Sequence, residues 1–242
     1  MGMKSDLKLI KNGKRMDGRK PDELRPITIK AGILDQADGS AYLEWGGNKV
    51  MAGVYGPREC LPRHKSSPYK AYLTYRYNMV PFSVDDRKRP GPDRRSTEIS
   101  KISAEALEKV VCVENFPNTM INVFVEVLQA DAGTRCAALT AASVALADAG
   151  IPMRDLIVSC AAGKINDTVV LDLGKKEDNF GQADVPIAVL PHSEEIVLLQ
   201  MDGDLTKAEF DEAVKLSLKA SKKIYVLQKK ALTGKFKKGG EK

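Results

Sequence analysis

Residues 128–150, LQADAGTRCAALTAASVALADAG, decide how the chain is read. The first few close a β run, a Gly turn follows, and then comes a long helix that is apolar almost all round. A helix without a polar face is buried on every side, so other elements must pack around it. Yet Arg135 stands at its start, where the helix dipole is positive and disfavours a cation. Two readings stand. In one, an anion occupies a corner made by the free backbone N–H groups, the Thr134 hydroxyl and the Arg135 fork, with Gly133 allowing the turn. In the other, Arg135 pairs with Asp131 or another carboxylate, and Gly133 and Thr134 are ordinary caps.

Working outward, residues 27–54 carry a β pattern. Within them AYLEW (41–45), Gly46-Gly47-Asn48 and KVMAGVYG (49–56) read as a hairpin that Pro57 ends. Residues 58–70 form a basic loop, and AYLTYRYNMV (71–80) alternates as a strand. A proline-rich polar loop leads to Ser96, which reads as the N-cap of a helix over 97–116. TMINVFVEVLQ (119–129) is a β run. After the buried helix, 155–165 and 167–173 are strands, 174–183 a polar loop, and 184–190 and 194–203 another strand pair. A last amphipathic helix spans 206–232, with a frayed tail over 233–242. Many strands followed by packed helices give an α+β fold with mixed sheets in one domain over 1–242. Residues 1–26 form a polar, basic N-terminal extension.

The bulk numbers narrow the function. With 242 residues and 43% hydrophobic content, the chain can bury a sizeable core, and its charge of +6 favours an anionic partner. The four cysteines are far apart and form no CxxC, which speaks against zinc and against a disulfide framework. Neither a signal peptide nor a run of transmembrane length is visible, so a soluble, cytoplasmic protein without membrane contact is expected. No GxGxxG, GxxxxGK[ST] or HExxH occurs. His64 and His192 have no evident nucleophile beside them, so a Ser/His/Asp hydrolase is unsupported.

Three more constellations could carry chemistry. Asp178 and Asp184 flank a Gly turn in EDNFGQADVP, as a general acid with a metal ligand or as plain turn and cap residues. The loop DDRKRPGPDRRS holds Arg87, Arg89, Arg94 and Arg95, which suit a phosphodiester backbone or form a solvated charge run. Tyr69 sits beside Arg63, His64 and Lys65, where it can stack a base or pack on its own loop.

Taken together, these stretches resemble the RNase PH family. RMDGRKPDELRP is similar to that family's R-x-D-G-R-x-x-D-E-x-R signature, and GPREC, PDRRSTEISK, LQADAGTR and ADAGIPMRDL follow in family order. Within the family the likeness is nearest to the catalytic RNase PH-like subunits of archaeal exosomes. The resemblance implies an RNase PH fold, with βαβ units of the ribosomal protein S5 domain 2-like type. It implies a phosphate-dependent 3′-to-5′ exoribonuclease that releases nucleoside 5′-diphosphates from single-stranded RNA and can run in reverse to add tails. Gly133, Thr134 and Arg135 would hold inorganic phosphate as co-substrate, and Arg94 and Arg95 would bind RNA near the scissile bond. Asp178 would be the general acid, with Asp184 assisting and the pair holding Mg²⁺. Arg63, His64, Lys65 and Tyr69 would meet upstream nucleotides, with Arg87 and Arg89 lining the same path. The implied assembly is a ring of three heterodimers with a non-catalytic RNase PH-like partner, topped by RNA-binding cap subunits. Two alternatives stay open: a homohexamer trimming transfer-RNA 3′ ends, and a non-catalytic RNA-binding ring subunit.

Overall fold

The computed structural model describes residues 9–11 and 13–238. A two-stranded ribbon, β1 (Ile10–Lys11) and β2 (Lys14–Arg15), precedes the first sheet. That sheet comprises β3 (Ile27–Ala31), β4 (Gly39–Trp45), β5 (Asn48–Glu59), β6 (Tyr72–Met79) and β7 (Thr119–Gln129) in the order β3-β4-β5-β7-β6. Only β6 and β7 run parallel. The crossover between them carries α1 (Arg94–Glu108), so β6-α1-β7 is a βαβ unit. The second sheet is antiparallel. It comprises β8 (Val158–Ile165), β9 (Thr168–Leu171), β10 (Ala183–Leu190), β11 (Glu195–Leu199) and the short β12 (Asp202–Gly203) in the order β11-β10-β8-β9, with β12 beside β10.

Between the sheets lies α2 (Thr134–Asp148), packed on β4, β5 and β7 from one side and on β8 from the other. This position explains its composition. Ala137, Ala138, Ala141, Ala142 and Ala145 let both sheets approach closely, and Leu139, Val144 and Leu146 fill the layers between. The same hydrophobic cluster reaches Ile224 of α4 (Lys207–Lys238), which packs on β8 and β3.

Several expectations need correction. β5 continues through Pro57 to Glu59, because a register shift between Tyr55 and Arg58 takes the proline out of the ladder. Asp93, not Ser96, caps α1: its carboxylate accepts from the Ser96 N–H at 2.6 Å, and the Ser96 hydroxyl answers from the N3 position. Arg94 and Arg95 therefore stand in the first turn rather than ahead of it. The helix also stops at Glu108, with a 3₁₀ turn over Val113–Asn115. Residues 174–183 are not all loop, since they contain α3 (Lys175–Phe180), and the N–H of its N-cap residue Gly174 donates to the Glu177 carboxylate at 2.8 Å. α4 stays helical to Lys238, six residues beyond the predicted end. Residues 239–242 of the expected frayed tail, and 1–8 and 12 of the extension, lie outside the described residues.

The N-terminal stretch from Arg15 to Arg25 is not a solvated basic arm. Arg15, Arg19 and Arg25 are 3%, 8% and 8% exposed. Arg15 pairs with Glu177, Arg19 with Asp17, and Arg25 with Asp172 at 2.7 Å. Guanidiniums survive burial there because carboxylates and carbonyls meet nearly all their donors; Arg19 Nη2 alone of these nitrogens makes no hydrogen bond and lies 3.8 Å from Glu177.

Candidate active site

Strand β7 and the turn after it deliver the Gly133 corner to the edge of the buried layer. Gly133 is the N-cap of α2 at φ 66°, and Ala132 before it is also left-handed at φ 56°. The carbonyl of Gly133 accepts from the Cys136 and Ala137 N–H groups at 3.1 Å each. The N–H groups of Thr134 and Arg135, at the first helical positions, have no partner within the helix. Tyr77 of β6 donates its hydroxyl to Thr134 Oγ1 at 2.8 Å, which leaves the Thr134 proton for another acceptor.

Arg135 does not pair with Asp131. Its Nη1 donates to Gln200 Oε1 at 2.7 Å, and Gln200 in turn reaches Glu98 of α1 at 3.3 Å. Asp131 is taken by Arg25 instead.

The two aspartates come together from separate elements. Asp178 is exposed on α3, and Asp184 is half-buried at the start of β10. Burial and the neighbouring Asp178 charge push the Asp184 carboxyl up to about 7, with a smaller push from Asp202. Arg135 and Arg95 pull in the opposite direction. That one carboxyl feels all four groups places α1, α2, α3 and β12 around the start of β10. The Asp178–Asp184 pair offers two hard oxygen donors of like charge. Among the described residues no group of three or more His, Cys, Asp and Glu could hold a metal. The pair thus suits an ion that draws its other ligands from water and phosphate, as Mg²⁺ does.

The other basic residues separate into two groups. Arg87, Arg89, Arg94 and Arg95 are exposed, and their loop is tied to α3 by the Lys175–Asp85 pair, which sets it beside Asp178. Lys88 is held by Asp93 at 2.8 Å. Arg63, His64 and Lys65 form a 3₁₀ turn before β6. Tyr77, beside the corner, is five residues along β6 from Tyr72, beside the patch, a separation of ~17 Å by strand rise. Tyr69 does not pack on its loop and is 83% exposed. Lys65 lies over the Tyr72 ring at 5.1 Å.

Sequence reasoning missed Gln200, Asp202, Tyr77 and Asn48. Asp202 faces Asp184 across the β10–β12 ladder, a relation that only strand pairing creates. Asn48 reads in the sequence as a hairpin turn residue, with nothing local to link it to the corner.

Comparison with known proteins places the whole chain. Residues 23–152 match the 3′ exoribonuclease family, domain 1, and residues 155–220 match its domain 2. The joint falls between α2 and β8. The chain is 60% identical over 242 residues to a Thermococcus onnurineus protein named exosome complex component Rrp41, covering 100% of this chain and 97% of that one. It is 62% identical over 231 residues to the Pyrococcus furiosus protein of the same name, covering 95% and 92%. Among solved structures, rice Rrp46 superposes with a TM-score of 0.82 at 25% identity, covering 90% of this chain and 100% of that one. An Archaeoglobus fulgidus exosome structure with RNA bound to the active site shares the fold, with a TM-score of 0.77 at 23% identity over 88% of this chain and 92% of that one. The chain belongs to the RNase PH family of 3′ exoribonucleases.

Proposed function

We propose that this chain is the catalytic RNase PH-like subunit of an archaeal exosome, degrading single-stranded RNA from the 3′ end by phosphorolysis. One observation carries the reading: a half-buried carboxyl raised to about 7 stands in the field of Arg135 at a helix N-terminus and of Arg95 on the neighbouring helix. An acid beside anion-binding groups is what transfer of a phosphodiester to phosphate needs. The names of the relatives support the exosome assignment.

In this reading, the N–H groups of Thr134 and Arg135, the Thr134 hydroxyl and the Arg135 guanidinium hold inorganic phosphate. One of its oxygens attacks the phosphorus of the terminal phosphodiester. The new P–O bond forms as the bond to the penultimate 3′ oxygen breaks. Asp184 passes its proton to that oxygen, leaving a shortened RNA and a nucleoside 5′-diphosphate. The acid role thus goes to Asp184 and not to Asp178, for which the family resemblance implies it, because burial raises the Asp184 carboxyl to about 7. Asp178 supplies the like charge that helps Asp184 keep it. Mg²⁺ would be held by Asp178, with Asp184 joining it only as the carboxylate, and when bound it would supply positive charge at the phosphate oxygens. Arg94 and Arg95, with Arg87 and Arg89, grip the last RNA phosphates, and the Arg63–Tyr69 patch meets nucleotides farther upstream.

The diphosphate product keeps an anhydride bond, so the site also adds tails from nucleoside diphosphates. A non-catalytic RNase PH-like partner in a trimer of heterodimers, with RNA-binding caps, completes the path. Cys60, Cys112, Cys136 and Cys160 are free thiols, which suits the cytoplasm. No helix among the described residues is long and apolar enough to cross a membrane. The test is to degrade a 3′-labelled RNA with and without added phosphate. Nucleoside diphosphates appearing only with phosphate are expected; monophosphates in phosphate-free buffer would end the phosphorolytic reading.

A further inference from the structure

The turn that carries the phosphate corner is held in a costly shape. Ala132 and Gly133 are successive left-handed residues, a conformation that disfavours the non-glycine Ala132. Two side chains far away in sequence hold it. Asn48, 0% exposed at the end of the β4–β5 hairpin, accepts from the Asp131 N–H and donates to the Ala132 carbonyl, both at 2.6 Å. The Arg25 Nη1 donates to the Asp131 carbonyl and to its carboxylate, and Nη2 reaches the Ala132 carbonyl at 3.4 Å. The hairpin closes so tightly here that a Cβ on Gly47 would lie 2.6 Å from Asp131 Oδ2.

Arg25 has nothing left for a substrate. Its Nε donates to Asp172 at 3.1 Å and Nη2 donates to Asp172 Oδ1 at 2.7 Å, so every guanidinium nitrogen is engaged within the protein. Asp172 also accepts from the Arg25 N–H at 2.7 Å and from Trp45 Nε1 at 2.9 Å, and is itself left-handed at φ 56°. Its carbonyl accepts from Arg15 at 2.8 Å and Arg19 at 3.1 Å. Arg15 also grips Glu177, the residue before Asp178. One continuous set of bonds therefore runs from the phosphate corner through Arg25 and Asp172 to the helix that bears Asp178.

We infer that Arg25 and Asn48 are positioning residues: they set the Asp131–Gly133 turn so that the Thr134 and Arg135 donors converge on phosphate, and Arg25 registers that corner against α3. This rests on the reading of the corner as the phosphate site. The test uses the full chain in whatever assembly gives wild-type activity. Asn48→Ala and Arg25→Lys are compared with wild type for the KM of phosphate, the KM of RNA and kcat. The rise in thermal midpoint caused by phosphate without RNA is a second readout. Loss of two hydrogen bonds from the turn is expected to raise the phosphate KM about tenfold, to leave the RNA KM within about twofold, and to cut the phosphate-induced rise to about a third at a concentration roughly ten times the wild-type Kd. Asn48→Ala leaves the ion cluster intact and carries the test should Arg25→Lys not fold. Variants with a lower midpoint but an unchanged phosphate KM would overturn the positioning role alone. A wild type that degrades RNA without phosphate would overturn the phosphate site and this inference together.

Discussion

RMDGRKPDELRP, residues 15–26, and DDRKRPGPDRRS, residues 85–96, are close in composition: arginines and aspartates broken by proline and glycine. The fold uses them in opposite ways. In the first, Arg15, Arg19 and Arg25 are buried against Asp17, Asp172 and Glu177. In the second, Arg87, Arg89, Arg94 and Arg95 are exposed, and the nearby acids are occupied elsewhere, Asp85 by Lys175 and Asp93 by Lys88. Buried arginines fix the geometry of the backbone around the site, and exposed ones remain open to an anion from outside. The difference lies in whether the carboxylates that follow β9, Asp172 and Glu177, reach the stretch, so each stretch predicts a different failure when altered.

The largest effect should come from the buried side. Asp172→Ala leaves Arg25 and Arg19 without their shared carboxylate, and an uncompensated buried charge costs about 3–5 kcal/mol. Denaturant unfolding should show this loss, and a change below 1 kcal/mol would mean that the cluster is less dry than it looks. Asp184 offers the next test. Its carboxyl is raised from 3.8 to about 7. Between those values the folded chain holds a proton that the unfolded chain has released. The stabilisation is complete below the unfolded value and is lost as pH rises through about 7. Asp184→Asn carries no charge to desolvate, so it should match wild type in acid and exceed it at pH 8.5 by on the order of 4 kcal/mol, while losing turnover. In the wild type, degradation should fall as pH rises through about 7, and tail addition, which needs the carboxylate as base, should rise over the same range. Parallel profiles would remove the proton from Asp184.

The sequence was most legible where one element carries its own signal. The all-apolar pattern of α2 already demanded two covering layers, and the Gly46-Gly47-Asn48 turn marked the β4–β5 hairpin. The Gly133-Thr134-Arg135 corner could be read as an anion site but not separated from a capped ion pair, because the deciding fact, that Arg25 occupies Asp131, spans 106 residues. The parallel pairing of β6 with β7, the Asp202 opposite Asp184, and the burial of the first arginine stretch depend on strand order and on carboxylates about 150 positions away. Short α3 escaped notice because KKEDNF has no apolar face to betray a helix.

The exposed side should answer in binding, not stability. Arg94→Glu with Arg95→Glu should shift folding by no more than about 0.5 kcal/mol, yet weaken RNA binding and flatten the logarithmic salt slope by about 0.7 per lost phosphate contact. An unchanged slope would make that loop a solvated charge run after all.

Tyr69→Ala should have the smallest effect. The side chain is 83% exposed and packs on nothing that its loss would uncover. If the ring stacks a base, its removal should cost about 1 kcal/mol of RNA affinity, roughly fivefold, with little change in salt slope, because stacking releases no counterions. The dependence on RNA length sharpens the point. The patch lies at the far end of β6 from the phosphate corner, so an RNA too short to span from Thr134 to Tyr69 should bind wild type and variant equally. A defect that is the same for the shortest RNA and for long ones would place Tyr69 outside the RNA path, and would restrict the exposed contacts to the arginines beside α3.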